Sequence, residues 1–180
     1  MVIKAVINRT LNPRPSTLDR SGFIQAYGGV YEDSSWVAEA AWEAGVSAAH
    51  DEVDALHLAL QAEVDAASDA RQLALLNAHP DLAGRAAVRG ELTAASTEEQ
   101  ASAGLDQCTP DEFERFVELN TRYRARFPFP FIMAVRGATR GDILDAFAVR
   151  IENSAEDEFA TALAQVSRIA RLRLDAMAES

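Results

Sequence analysis

A histidine at a predicted helix end is one candidate for chemistry in this 180-residue chain. His79 stands directly before Pro80, and because a residue before proline disfavours the α-helical region, a helix near 69–78 must end there. Its imidazole titrates near neutral pH, so it can exchange a proton with a substrate. The alternative is that Asn77-Ala78-His79-Pro80 is only a helix stop, and the motif by itself favours that simpler interpretation.

The segment Ser96-Thr97-Glu98-Glu99-Gln100 is a second candidate. Ser96 and Glu99 have the spacing of a capping box, which would explain both residues without any function. A helix N-terminus also presents free N–H groups, which suit an anionic or carbonyl-rich ligand. The amide of Gln100 both donates and accepts hydrogen bonds, as recognition of a urea-like edge requires. The same segment can therefore cap a helix and bind a ligand.

An aromatic run broken by prolines is the third candidate. We call residues 127–135 the Phe/Pro segment; it reads Phe127-Pro128-Phe129-Pro130-Phe131 and then Ile132-Met133-Ala134-Val135. The prolines exclude a helix, so we predict an extended chain. The rings can simply fill the core. An extended chain also has N–H and C=O groups that no helix uses, and these can bind a flat heterocycle if the segment faces a pocket.

Three arginines near the C-terminus are candidates for binding an anion. Arg168, Arg171 and Arg173 all lie in a predicted helix, and a solvated basic face would explain them. Arg173 follows Ile169 by four residues, so it lies on the same side of the helix as that apolar residue. An arginine inclined toward the core usually has an anionic partner. We therefore expect Arg173 to be the ligand-binding arginine.

Several kinds of site are not indicated. The sequence contains no nucleophile elbow, phosphate-binding loop, dinucleotide-binding glycine pattern, H-E-x-x-H or C-x-x-C. His50 and His57 share a helix face, but two histidines without a third ligand make a poor metal site. Cys108 is the only cysteine, so it forms no intrachain disulfide, and we interpret it as structural.

The net charge limits the kinds of partner that the chain is expected to bind. The chain carries a formal charge of -11 and has a pI of about 4.7, so it repels phosphate backbones and anionic lipids. We expect neither nucleic acid nor a membrane as a partner. No apolar run approaches the roughly 20 residues of a membrane span, and neither a signal peptide nor a peroxisomal ending is recognisable. These features predict a cytoplasmic protein.

Helical signals dominate the elements that must position these residues. Hydrophobic spacing and capping residues predict helices near 19–30, 35–44, 50–66 and 69–78, a short one opening at Ser96, one from Thr109 to about Arg126, one from Thr139 and one from Ser154. No alternation typical of a sheet is present. We predict an irregular arm over residues 1–16 and one all-α, bundle-like domain over 17–180, with the Phe/Pro segment in its second half.

Motifs along residues 23–177 together resemble a known family, the OHCU decarboxylases. The matching pieces are Gly28-Gly29-Val30-Tyr31-Glu32-Asp33-Ser34-Ser35-Trp36-Val37, His79-Pro80-Asp81-Leu82-Ala83-Gly84, Ser96-x-x-Glu99-Gln100, Leu119-Asn120-x-x-Tyr123-x-x-x-Phe127, Phe129-Pro130-Phe131-Ile132, Arg150-x-x-Asn153 with Glu158, and Ile169-x-x-x-Arg173. Each piece is modest alone, but their joint order and spacing are specific. The chain departs from the family pattern at Ser35, where proline is usual, and at Pro128, where glycine is usual.

The resemblance implies a fold, a reaction and a set of roles. It implies an all-α homodimer that uses no metal or organic cofactor and converts 2-oxo-4-hydroxy-4-carboxy-5-ureidoimidazoline (OHCU) to (S)-allantoin in urate degradation. His79 matches the catalytic histidine of the family, and Glu99 and Arg173 match its essential carboxylate and arginine. Pro80 and the ranges 96–100 and 131–135 match its substrate contacts.

Two alternatives stay open from the sequence. The same pocket would suit an enzyme that acts on another ureido heterocycle. A non-catalytic helical interaction domain would use the same motifs only as caps and core.

Overall fold

A computed structural model describes residues 9–84 and 89–178, and within these ranges the chain is all-α. The described residues form eight α-helices: α1 Arg20–Tyr27, α2 Trp36–Gly45, α3 Val53–Asp65, α4 Asp69–Asn77, α5 Ala94–Ser102, α6 Pro110–Arg126, α7 Arg140–Arg150 and α8 Ala155–Met177. Pairing of β type is confined, in these ranges, to two isolated bridges. The predicted fold class is confirmed, and the Phe/Pro segment is extended as expected. The first eight residues of the predicted arm lie outside the described ranges.

The described chain divides into two compact units. The first comprises residues 9–68 and 167–178, and the second comprises residues 69–84 and 89–166. The chain passes between the two units twice, once just before α4 and once inside α8. A single domain over residues 17–180 stays a prediction.

The first unit is built on α1, α2 and α3, which pack in that order. Asp19 caps α1 by accepting a hydrogen bond from the N–H of Gly22 at 2.8 Å. Leu56, Leu60 and Val64 recur at four-residue spacing on α3 and are all buried, so this helix turns one apolar stripe inward.

Two distant parts of the chain close the first unit. Leu11 is fully buried, and it forms an isolated antiparallel bridge with Ala178. Arg9 forms a salt bridge with Asp175 at 3.0 Å. The chain entering the unit is therefore fixed beside the end of α8.

The second unit has an aromatic core. Its fully buried rings come from α6, the Phe/Pro segment and α7: Phe116, Tyr123, Phe127, Phe129, Phe131 and Phe147. The three phenylalanines of the Phe/Pro segment occupy alternate positions, and all three rings point into this core, as the core-filling interpretation predicted. A ligand contact from this segment would therefore come from its backbone rather than from these three rings.

The predicted caps of α6 and α7 are confirmed. Thr109 and Glu112 form a reciprocal capping box, in which the N–H of Thr109 donates to Glu112 at 2.9 Å and the N–H of Glu112 donates to the Thr109 hydroxyl at 3.3 Å. The bond from the Thr109 N–H holds the pKa of the Glu112 carboxyl below its usual value. Thr139 and Asp142 cap α7 in the same way.

Two details of the sequence analysis are wrong. The N-cap of α5 is Thr93, whose hydroxyl accepts from the N–H of Ser96 at 3.2 Å, so Ser96 lies inside the helix. Ala94 and Ala95 are strong helix formers, and they extend the helix back to Thr93. The hydrophobic spacing of α6 also predicts Phe113, Phe116 and Val117 in the core, but of these three only Phe116 is fully buried, and Phe113 and Val117 are half-buried.

We expect Thr109→Ala to lower the free energy of unfolding by about 1 kcal/mol, because the first turn of α6 loses a side-chain acceptor. Thermal unfolding followed by circular dichroism measures the effect. The matched control is Thr121→Ala, in which the lost hydroxyl donates to the Val117 carbonyl inside the same helix. Equal unfolding temperatures for the two variants would contradict the capping role.

Candidate active site

His79 is buried just beyond the end of α4 and has a fixed ring. The residue is only 6% exposed, and its Nδ1 is 3.0 Å from the carbonyl oxygen of Leu75. Because a carbonyl oxygen only accepts, Nδ1 carries the proton, and in the neutral ring Nε2 is then the basic nitrogen. The local fold therefore selects both the orientation and the tautomer of the imidazole.

The loop that follows, residues 79–84, is held by side chains of α6. Arg124 forms a salt bridge with Asp81 at 3.0 Å. Asn120 is buried and donates from Nδ2 to the carbonyl oxygen of Leu82 at 2.9 Å. Neither Asn120 nor Arg124 was singled out as a site residue, because each acts on a loop about 40 positions away in the sequence.

Gln100 of α5 holds the same loop. Its Oε1 accepts from the N–H of Ala83 at 3.0 Å, and Ala83 has the left-handed φ of 48° that non-glycine residues rarely adopt. Such a backbone persists only when the surroundings fix it. The Gln100 amide, expected to read a urea-like edge, thus has its oxygen committed to the His79 loop.

The five predicted ligand residues of α5 divide by exposure. Ser96 and Gln100 are buried on one face, Glu99 is half-buried, and Thr97 and Glu98 are exposed. The buried face is the one that meets the His79 loop through Gln100. Of the five residues, Gln100 contacts the His79 loop directly, whereas Thr97 and Glu98 are exposed.

Part of the backbone of residues 131–135 is occupied by the protein itself. The carbonyl of Ile132 accepts from Arg150 Nη1 at 2.6 Å, and the N–H of Ala134 donates to Gln165 Oε1 at 3.0 Å. Within the described ranges, the N–H groups of residues 131–133 and 135 have no acceptor. A backbone contact to a ligand would come from these four groups rather than from Ala134.

Arg173 lies in the first unit and is buried against an acid. Its side chain is 8% exposed, and Nη2 is 2.8 Å from Glu32 Oε2. Nη1 donates to the carbonyl of Gly29 at 3.3 Å. Arg173 is thus inclined inward, as predicted, and its anionic partner within the chain is Glu32, while its role as the ligand-binding arginine stays a prediction. Arg168, by contrast, is exposed, and Arg171 forms a half-exposed salt bridge with Asp54.

Glu32 was not predicted as a site residue. It is 2% exposed, in a turn between α1 and α2. The available signal was its place in the Gly28 to Val37 motif that resembles the family.

A cavity of about 500 Å³ lies beside α5 in the second unit. Its lining includes two of the predicted ligand residues, Thr97 and Gln100, with Leu105, Phe113 and Cys108. Burial raises the pKa of the Cys108 thiol, which favours the protonated form and suits the structural role expected for it.

Two further findings bear on the class of site. Across residues 9–84 and 89–178, no three His, Cys, Asp or Glu side chains come together as metal ligands. In the same ranges no helix combines the length and the apolar character that crossing a bilayer requires.

Comparison with known proteins agrees with the geometry. The family described as OHCU decarboxylase matches residues 16–175. The chain is 46% identical over 157 residues to the 2-oxo-4-hydroxy-4-carboxy-5-ureidoimidazoline decarboxylase of Halalkalicoccus jeotgali, covering 87% of this chain and 85% of that protein.

Solved structures point the same way. A crystal structure of (S)-allantoin synthase superimposes with a TM-score of 0.73 at 34% identity, over 91% of this chain and 52% of the other, so this chain spans about half of that protein. A crystal structure of OHCU decarboxylase in the presence of (S)-allantoin, at 22% identity and a TM-score of 0.64, supports the fold over 82% of this chain and 93% of the other. Because the family match covers most of the sequence and the Halalkalicoccus relative is covered over 85% of its length, this chain belongs to the OHCU decarboxylase family.

Proposed function

We propose that this chain removes carbon dioxide from OHCU and yields (S)-allantoin in urate degradation. The observation that carries the proposal is the placement of His79. A buried imidazole donates from Nδ1 to the Leu75 carbonyl and so has Nε2 as its basic nitrogen, on a loop that α5 and α6 hold still. Such a group can exchange a proton with one face of a bound substrate.

The substrate explains why no cofactor is expected. OHCU carries its carboxylate on a carbon next to a C=N bond. When the bond to the carboxylate breaks, its electron pair moves into that unsaturation, and a proton then adds to the carbon that becomes the stereocentre. The substrate supplies the electron sink that pyridoxal phosphate or thiamine provides elsewhere. The protein must add orientation and a proton from one side.

Each proposed catalytic residue has one task. His79 exchanges a proton with the substrate and delivers one to a single face. Glu99 accepts a hydrogen bond from the substrate hydroxyl. Arg173 binds an anionic or carbonyl oxygen through its planar guanidinium.

The remaining proposed contacts orient the ring and the ureido group. They are the N–H groups of residues 131–135 that face no protein acceptor, together with Pro80 and the α5 residues Ser96, Thr97, Glu98 and Gln100. A homodimer belongs to the same proposal on the strength of the family resemblance, and a cytoplasmic location on the sequence features that predicted it.

The activity is tested by following optical rotation while urate oxidase and hydroxyisourate hydrolase convert urate. We expect rapid formation of (S)-allantoin only when this chain is added. Slow racemic product at the spontaneous rate would refute the proposed activity and favour the interaction-domain alternative. Activity on a different ureido heterocycle in a substrate panel, without activity on OHCU, would favour the other enzyme.

We expect His79→Asn to lower kcat by roughly 100-fold or more, because asparagine cannot exchange a proton at neutral pH. Steady-state kinetics measure the loss, and circular dichroism checks the fold. His57→Asn is the matched control, since His57 Nε2 also lies 3.1 Å from a backbone carbonyl, that of Ser167. We expect the control to keep wild-type turnover; near-wild-type turnover of His79→Asn would remove His79 from the mechanism.

We expect Arg173→Lys to raise KM roughly tenfold, because an ammonium cannot serve Glu32, the Gly29 carbonyl and a substrate oxygen with one planar fork. Arg168→Lys, an exposed position on the same helix, is the control and should leave KM unchanged. An unaltered KM and kcat for Arg173→Lys would show that this arginine serves the fold alone.

A further inference from the structure

We propose that the buried Arg150–Glu158 ion pair, together with Gln165, positions the backbone of residues 131–135 and thereby sets the affinity for the substrate. Neither Arg150 nor Glu158 needs to touch the substrate in this role, so both are positioning residues. The inference rests on the proposed function, because it concerns the segment proposed to bind OHCU.

Glu158 is the fixed point of the arrangement. Its side chain is 0% exposed, and its carboxylate accepts from Arg150 Nε at 2.9 Å, from Arg150 Nη2 at 2.5 Å and from Asn153 Nδ2 at 2.7 Å. The hydroxyl of Tyr123 donates to the same carboxylate. Burial, and then the bond to Glu158, raise the pKa of Tyr123, so the phenol keeps its proton and stays a donor. A carboxylate with this many donors has little freedom to move.

Arg150 transmits that fixed position to the Phe/Pro segment. While Nε and Nη2 donate to Glu158, Nη1 donates to the carbonyl of Ile132 at 2.6 Å. Its guanidinium carbon lies 4.4 Å from the centre of the Phe131 ring, and the Phe147 ring is stacked on Phe131 at 3.7 Å. Two groups this close to one ring must take opposite faces, so Phe131 is clamped between them.

Because the peptide bond is planar, the contact of Arg150 with the Ile132 carbonyl also fixes the direction of the neighbouring N–H donor. The carbonyl of Ile132 and the N–H of Met133 belong to one trans peptide group, so they point in opposite directions. When Arg150 binds that carbonyl, it also fixes the direction of the Met133 N–H, which has no acceptor within the described ranges. Gln165 fixes the next peptide group by accepting from the N–H of Ala134 at 3.0 Å. The direction of the Met133 N–H is thus fixed by Arg150 at its own peptide group and by Gln165 at the following one.

A purely structural role predicts a different signature. A broken buried ion pair that served the fold alone would lower the unfolding temperature and the fraction of active enzyme. KM does not depend on the amount of active enzyme, so it would not change. A positioning role must instead raise KM, because the folded molecules themselves present a misdirected donor.

The test is steady-state kinetics of full-length Arg150→Lys with enzymatically generated OHCU, well below the unfolding temperature. Lysine keeps the charge beside Glu158 but cannot also reach the Ile132 carbonyl and cover the Phe131 ring. We expect KM to rise about tenfold or more, and kcat to change much less. The second variant, Gln165→Met, removes the acceptor for the Ala134 N–H and should raise KM even if Arg150→Lys does not fold.

The matched control is Arg126→Lys. Arg126 also donates to a backbone carbonyl, that of Asn153 at 3.0 Å, and its guanidinium carbon lies 5.6 Å from the centre of the Phe127 ring, outside residues 131–135. We expect its KM to equal that of the wild type. A wild-type KM in Gln165→Met and in any folded Arg150→Lys, or a fall in kcat alone, would overturn the positioning role while leaving the proposed function standing. A wild-type protein without stereospecific activity would overturn both.

Discussion

A buried carboxylate must be surrounded by donors, and this requirement organises the second unit. Glu158 is fully buried near the start of α8, and its donors come from α6, the last residue of α7 and the turn between α7 and α8. The loss of any of these hydrogen bonds would leave a buried charge without full compensation in an apolar interior. The elements around Glu158 therefore have one mutual arrangement, and the Phe/Pro segment follows it through Arg150.

Some of the residues proposed for catalysis and recognition, namely His79, Pro80 and residues 131–135, lie outside the helices. A helix consumes its own N–H and C=O groups, so backbone recognition needs non-helical chain. The His79 loop and the Phe/Pro segment supply such chain, and each is immobilised by side chains from neighbouring helices. Asn120 and Gln100 hold the first, while Arg150 and Gln165 hold the second. Side chains of the helices thus hold these short irregular segments in one conformation.

Local features of the sequence predicted the elements well because capping and periodicity act over a few residues. Thr109 with Glu112 marked the start of α6, and Pro80 marked the end of α4. The cap of α5 was misplaced because Ser96 and Glu99 imitate a capping box three residues inside the helix. Local spacing alone could not separate the two caps.

The long-range side-chain contacts that hold the site could not be predicted from the sequence. Asn120 reaches Leu82 across 38 positions, and Arg173 reaches Gly29 across 144. Periodicity shows that Arg173 faces inward, but it does not name Glu32 as the partner. The motifs that resemble the family contained Arg150, Asn153 and Glu158 without a task for any of them, because their task depends on three-dimensional neighbours.

The discontinuity of the first unit has a consequence for biosynthesis. Leu11 and Arg9 complete their contacts only with Ala178 and Asp175, whereas the second unit is built from one uninterrupted stretch of chain. During translation the second unit has all its residues before the last turns of α8 leave the ribosome. Arg9, Leu11 and Glu32 must wait for those turns, so the Glu32 carboxylate gains its arginine only after every residue of the aromatic core has been synthesised.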